Sequence, residues 1–206
     1  MNDAMSLGIH RLWKDSLIAT LDPGRTPNMN CLDVAGGTGD IALRILDHAR
    51  EKHSDRSLKV NVLDINKEML TEGEKRFRRT MYHGGPQVEF THGNAQALPA
   101  SIPSASLDLY TISFGIRNCT DVPAVLREAY RVLKPGGVFA CMEFGKVTNP
   151  LFAGSVPLFE HMRRVPRQTA DQPSSISQHL PPVLVLDDPP ARPDPCLGPR
   201  VVPVPD

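Results

Sequence analysis

The sequence predicts an α/β fold built on a doubly wound parallel sheet. Apolar runs of strand length alternate with helical periodicities as far as about residue 150. A glycine turn, "GGTG", joins the first apolar run to the first helical one after it, and an acid, Asp64, ends the second run. Tight glycine connections between strand and helix, with apolar strands covered on both faces, characterise α/β layering.

Each element has its own signal. "NCLDVA" (30–35) is a short apolar run stopped by glycines, and "DIALRILDHAREKH" (40–53) places Ile41, Leu43, Ile45, Leu46 and Ala49 at nearly helical spacing with Asp40 at the N-cap. "LKVNVLDI" (58–65) alternates as a strand, and "NKEMLTEGEKRFRRT" (66–80) reads as a charged amphipathic helix. "QVEFTHGNA" (87–95) is a third strand, and "LDLYTISFG" (107–115) is apolar enough to be central. "DVPAVLREAYRVL" (121–133) is a helix that Lys134-Pro135-Gly136-Gly137 should end, turning the chain tightly into a fifth strand at 137–145. Right-handed crossovers bring the strand ends and their loops to one crevice.

Proline sets the other boundary. Twelve of the 20 prolines follow residue 152, a density that removes backbone donors and opposes both long helices and central strands. Residues 1–152 are therefore expected to form the folded domain and 153–206 a disordered or extended tail. Within that tail, "VLVL" in "PPVLVLDDPP" is one short apolar run able to pair with something.

Composition narrows the function. The chain has 206 residues, 40% of them hydrophobic, enough for one core. Twenty-three Lys and Arg balance 23 Asp and Glu, so no global charge draws the chain to nucleic acid or to an anionic membrane. Cys31, Cys119, Cys141 and Cys196 are scattered, with no CxxC and no neighbouring histidine pair. Neither a disulfide framework nor a zinc site is expected from that pattern, and no metal is assigned. No apolar stretch approaches the roughly 20 residues that span a bilayer, and no targeting segment is visible.

The glycine loop is the chemical signal. Gly37-Thr38-Gly39-Asp40-Ile41-Ala42 matches G-x-G-x-x-A, with Asp64 where an acid would meet ribose hydroxyls. A dinucleotide, an S-adenosyl ligand or a plain strand-to-helix turn all fit that match. A P-loop does not, because no Gly-Lys-Ser/Thr follows. Asp33 before the glycines and Asp40 after them would oppose a pyrophosphate at a helix N-terminus. They would complement the ammonium and sulfonium of S-adenosylmethionine. Asn94, in "GNAQALP", can both donate to and accept from an adenine edge. A nicotinamide-linked oxidoreductase is thus the weaker alternative.

Together "MNDAMSLGIHRLW", "LDVAGGTGDIA", "DINKEML", "ISFGIRNCTDV" and "YRVLKPGGVFACMEF", followed by "NPL", resemble the UbiE/Coq5 family of class I methyltransferases over residues 1–152. These are the 2-polyprenyl-6-methoxy-1,4-benzoquinol C-methyltransferases of ubiquinone synthesis, whose bacterial members also methylate demethylmenaquinol. The resemblance implies a Rossmann-like sheet and S-adenosyl-L-methionine as cofactor. It implies cofactor contacts at Thr38, Asp64, Asn94, Ala95 and Ser113, and a catalytic role for Arg117. It also implies a polyprenyl benzoquinol substrate, other ubiquinone-synthesis proteins in a multi-enzyme complex, and peripheral contact with the matrix side of the mitochondrial inner membrane.

Residue chemistry leaves some of these open. Ser113 reads equally as a small core residue, Arg117 as a surface ion pair, and His10, a base by residue type, as part of an amphipathic N-terminal segment. Methylating a hydroquinol carbon calls for removal of a phenolic proton and in-line positioning, with Arg117 suited to holding a phenolate or orienting a water. The chain departs from the family at both ends. The resemblance implies a preceding segment ending in Tyr-Asp, a serine where Gly145 stands, and a final antiparallel strand pair where the proline-rich tail runs. The expectation is a sheet lacking its C-terminal strands, with an open edge at the fifth strand or its neighbour. A product without its own catalysis, keeping cofactor or partner binding, is the corresponding alternative.

Overall fold

The computed structural model describes residues 9–143 and, for its backbone, the strand 183–186. Gly145, the rest of the proline-rich tail and the side chain of His10 lie outside the described residues.

Helix α1 (Ile9–Leu21) leads into β1 (Asn30–Val34), α2 (Asp40–His53), β2 (Lys59–Asp64), α3 (Lys67–Phe77), β3 (Val88–His92), β4 (Leu107–Ser113), α4 (Val122–Val132), β5 (Leu133–Met142) and β6 (Val183–Leu186). The strands form one sheet in the order β3-β2-β1-β4-β5-β6. All pairs are parallel except β5 with β6. The order reverses between β1 and β4, and at that switch point the loops after both strands open onto one crevice.

Two apolar clusters sandwich the sheet. On one face Leu17 and Ile18 of α1, Ile41, Ala42, Ile45, Leu46 and Ala49 of α2, and Leu70 and Phe77 of α3 pack on Val60, Val62 and Leu109. On the other, Val125, Ala129 and Val132 of α4 meet Leu32, Val34, Tyr110, Ile112 and Phe139. Successive strand residues point to opposite faces, so β1 and β4, at the centre, must be apolar on both. Away from the polar strand-end residues Asn30, Asp108 and Ser113, Asp33 and Thr111 are the exceptions, both essentially inaccessible. They are register partners across β1 and β4.

Three expectations are revised. Asp40 is the first residue of α2 and not its cap; Gly39 is the cap, at φ 73°, where a side chain is strained. The "KPGG" segment does not end a helix before a later strand. α4 stops at Val132, and β5 begins at once with Leu133 opposite Leu107. The ladder then slips, Leu109 pairing with Val138, so that Pro135-Gly136-Gly137 bulges out of the strand. Third, of the two edges expected to be open, β5 is covered, because "VLVL" pairs antiparallel with Phe139–Met142, and the edge strand is its neighbour β6.

Ile112, fully buried on the central strand, reports on this core, whereas Leu126 on α4 is 42% exposed. Ile112→Ala is expected to cost about 2–5 kcal/mol in urea unfolding and Leu126→Ala less than about 0.5 kcal/mol.

Candidate functional site

The crevice is built around the carboxylate of Asp64. One oxygen, Oδ2, accepts the N–H of Gly37 at 2.8 Å, and Oδ1 accepts the N–H of Asn66 at 2.8 Å. Asn66 in turn caps α3, its Oδ1 accepting from Glu68 N–H (2.9 Å) and Met69 N–H (3.1 Å). The backbone at Asp64 accepts from Gly93 N–H at 3.0 Å, which brings in the end of β3. Three loops thus converge on one residue. An ionised carboxylate has about four acceptor positions, so two remain for a ligand's hydroxyls.

Close packing fixes the glycine loop. A Cβ on Gly36 would lie 2.8 Å from Asp33 Oδ2 and from Val62, so only glycine passes there. The loop closes through Gly39 N–H donating to the Gly36 carbonyl at 2.9 Å, and Gly36 N–H donates to the Leu63 carbonyl at 3.2 Å. Beneath it, the edge-on pair Phe77 and Phe90, centroids 5.3 Å apart, supports Gly39. Thr38 stands half-buried at the loop tip.

Asn94 is exposed and Ala95 buried at the third loop. The Asn94 side-chain oxygen accepts Gln96 N–H at 2.9 Å, folding its own turn. Gln96 then ties that loop to α4, its Oε1 accepting from Thr120 Oγ1 (2.9 Å) and Asp121 N–H (2.6 Å). Part of the acceptor capacity expected of Asn94 is therefore spent on its own backbone.

On the β4 side, Ser113 ends the strand with its Oγ buried and without a hydrogen-bond partner. A buried hydroxyl in that state costs free energy unless something answers it. The next residue, Phe114, holds φ 56°, a conformation bulky side chains rarely adopt. Its N–H donates to the Met142 carbonyl at 2.8 Å, which keeps it there. Strain of this kind persists where surrounding structure enforces it. Arg117, in the short 3₁₀ turn Ile116–Asn118, donates from Nη1 to Glu143 Oε1 at 2.8 Å. The ion-pair reading of Arg117 is the one seen, and the pair holds it at the crevice end of β4 and β5.

The two acids of the loop have different fates. Asp40 is surrounded by Lys14 (2.8 Å), Arg76 (3.0 Å) and Arg44 (3.4 Å). Burial alone would raise its carboxyl, but the hydrogen bond and charge of Lys14, then Arg76, outweigh burial and hold it below the usual range. Its charge is thus neutralised by neighbours, and the expectation that it complements a cationic ligand is withdrawn. Asp33 remains. Thr111 Oγ1 donates to its Oδ1 at 2.8 Å, while Oδ2 is buried without a hydrogen-bond partner. Burial pushes this carboxyl up to about 7, despite the Thr111 bond and the nearby Ala42 backbone N–H.

Sequence reasoning missed Thr111, Glu143 and Gly73. Gly73 lets the Thr38 backbone pack onto α3: a Cβ there would lie 3.2 Å from Thr38 Cα. Strand register alone reveals the Asp33–Thr111 match, because the two are 78 residues apart.

The raised Asp33 carboxyl makes stability pH-dependent. The native state holds a proton that the unfolded chain, with an ordinary value of 3.8, has released. This contribution is full below about pH 4 and is lost as pH rises through about 7. Asp33→Asn should flatten that decline, read as a smaller fall in urea midpoint between pH 5 and 8 than the unsubstituted chain shows.

Comparison with known proteins agrees with the fold and names a family. Residues 1–175 match the model of the ubiE/COQ5 methyltransferase family. The chain is 59% identical over 148 residues to the 2-methoxy-6-polyprenyl-1,4-benzoquinol methylase, mitochondrial, of Schizosaccharomyces pombe, covering 71% of this chain and 48% of that one. It is 48% identical over 172 residues to the protein of the same name in Dictyostelium discoideum, covering 73% and 54%. The chain thus spans about half the length of these curated relatives. Among solved structures, the CurJ carbon methyltransferase shares the fold with a TM-score of 0.55 at 15% identity, over 68% of this chain and 36% of that one. A family match across most of its length, joined to this fold, decides the assignment: the chain belongs to the ubiE/COQ5 methyltransferase family.

Proposed function

We propose that this chain binds S-adenosyl-L-methionine and serves the C-methylation of a polyprenyl-methoxy-benzoquinol in ubiquinone synthesis. The observation that carries the proposal is the Asp64 carboxylate, fixed by two loop N–H groups at 2.8 Å with acceptor positions to spare. Family membership implies the cofactor, and the residues present fit it. The crevice offers a buried Ser113 hydroxyl without a hydrogen-bond partner, and beneath Gly36 one Asp33 carboxylate oxygen in the same state.

In this reading Asp64 holds the ribose hydroxyls, Thr38 the methionyl end at the loop, and Asn94 and Ala95 the adenine side, while Ser113 Oγ gains the partner it lacks. Asp33 favours a cation over a pyrophosphate: a positive group nearby stabilises its ionised form, whereas a phosphate would keep the proton on it and gain no such attraction. With Asp40 neutralised, Asp33 alone carries the argument against a dinucleotide. S-adenosylmethionine supplies an electrophilic methyl group when bound.

The protein's own contribution is positioning and charge. A hydroquinol carbon becomes nucleophilic as its phenolic proton leaves, and a fixed guanidinium stabilises the phenolate. Arg117 has that charge, and Glu143 limits where it can point. The carboxylate also lowers the net charge of the pair, so Arg117 acts by direction more than by field.

The same reading places the chain in mitochondria, on the matrix side of the inner membrane in peripheral contact with it, where a polyprenyl substrate resides, alongside other ubiquinone-synthesis proteins. Both relatives' names carry the word mitochondrial. Among the described residues no helix is long and apolar enough to cross a membrane.

Calorimetric titration with S-adenosylhomocysteine tests the cofactor site. Binding is expected, with NADH silent, and Asp64→Ala should weaken it at least tenfold; binding of NADH instead would favour the oxidoreductase. Arg117→Ala should leave that binding within about twofold while lowering quinol methylation by 10²-fold or more. A folded chain that binds but does not methylate would be the non-catalytic product.

A further inference from the structure

We propose that Asp22, His48 and His53 form a binding site for a single divalent cation of the zinc class, at the end of the domain remote from the glycine loop. Two imidazole nitrogens and a carboxylate oxygen come together here, each within 4.8 Å of the others. Nε2 of His48 and Nε2 of His53 each lie 2.8 Å from the same atom, Asp22 Oδ1.

The donors stand on fixed backbone. His48 and His53 belong to α2, whose C-terminus is closed by Ser54 at φ 55° and by two hydrogen bonds back to the last turn. Asp22 follows α1 at φ 43°, its N–H donating to the Ile18 carbonyl at 2.9 Å. At about 1.5 Å rise per residue, His48 and His53 stand about 12 and 20 Å along the axis from the start of α2 at the loop. The three side chains are 17–27% exposed, accessible to an ion yet held in place.

The donor set suits zinc. Imidazole nitrogen and carboxylate oxygen bind it at about 2.0–2.2 Å, and three protein ligands with an open position are a common arrangement. Tetrahedral ligands at that distance are about 3.3 Å apart, so each His-to-Asp spacing must open by about half an ångström, within the reach of side-chain rotation. Each ring must also carry its proton on Nδ1 instead of Nε2. For a neutral ring that is a change of tautomer; for a protonated ring it releases one proton.

Lys52 is the competitor. Its Nζ also lies 2.8 Å from Asp22 Oδ1, and its side chain is 54% exposed. Asp22 Oδ1 thus gathers three donors, His48, His53 and Lys52, about the point a cation would take. A bound cation would displace Lys52 into solvent. It would also clip the C-terminal ends of α1 and α2, whose other ends are joined by Lys14 with Asp40 and by Arg44 with Asp15. The cysteine pattern, which gave no zinc site, is silent about this one because the ligands come from two helices 26 and 31 residues apart.

Titration of the metal-free full chain with zinc chloride, followed by calorimetry and thermal unfolding, tests the site. One equivalent is expected to bind and to raise the melting temperature by several degrees, with magnesium silent. His48→Gln and His53→Gln keep an N–H able to reach Asp22 but remove the imidazole ligand. Each should fold normally by circular dichroism and weaken zinc binding at least tenfold, while Lys52→Ala should bind zinc as tightly or more so. No binding to the folded chain, unchanged affinity in both glutamine variants, or binding lost only on Cys119→Ser would overturn the proposal.

Discussion

The carboxylate of Asp64 accepts from the glycine loop with one oxygen and from the turn into α3 with the other, and its backbone accepts from the end of β3. It adds the side-chain tie between the loop after β1 and the turn after β2, beside the backbone bond from Gly36 N–H to the Leu63 carbonyl. Charge-assisted bonds to N–H groups are the stronger kind and set direction as well as energy. The crevice is therefore a consequence of the same residue that the proposed cofactor site uses, and loop geometry and ligand recognition are one design.

Polar groups within the apolar layers serve the same edge of the sheet. Asp33 and Thr111 face each other across the two central strands. Their bond satisfies one carboxylate oxygen and leaves the other beneath Gly36. An unanswered buried acid is costly in a stable core and informative at a site: it gives the loop a built-in preference for a positive group. Ser113, Phe114 and the Arg117–Glu143 pair continue the pattern along the ends of β4 and β5. Departures from regular packing gather where the crevice opens; at the opposite end of β4 the ladder to β5 slips, and Asp108 there is answered by Asn30 N–H and Lys134.

α1 is joined to α2 at both ends of their contact, by ion pairs near the loop and by the Asp22 cluster remote from it. Since α2 begins at the glycine loop, anything that fixes α1 against α2 also steadies the helix from which the loop departs. The antiparallel β6 does a comparable service at the other flank, covering the edge of β5 with backbone hydrogen bonds.

The sequence by itself determined the order of strands and helices from residue 30 to 143, the glycine loop and the acid at the tip of β2. Each of these is written in local periodicity or in adjacent residues, and α2 was legible but for its cap. It was also enough to resemble the family that the comparisons bear out. Tertiary structure alone decided that Asp40 is neutralised by Lys14, Arg76 and Arg44, that Thr111 answers Asp33, that Glu143 holds Arg117, and that "VLVL" closes the edge of β5. It likewise decided that "KPGG" is a bulge in β5 rather than the end of a helix. The reason is physical: a side chain's charge and hydrogen bonds are settled by neighbours that register and packing bring from far along the chain, and local pattern carries no record of them.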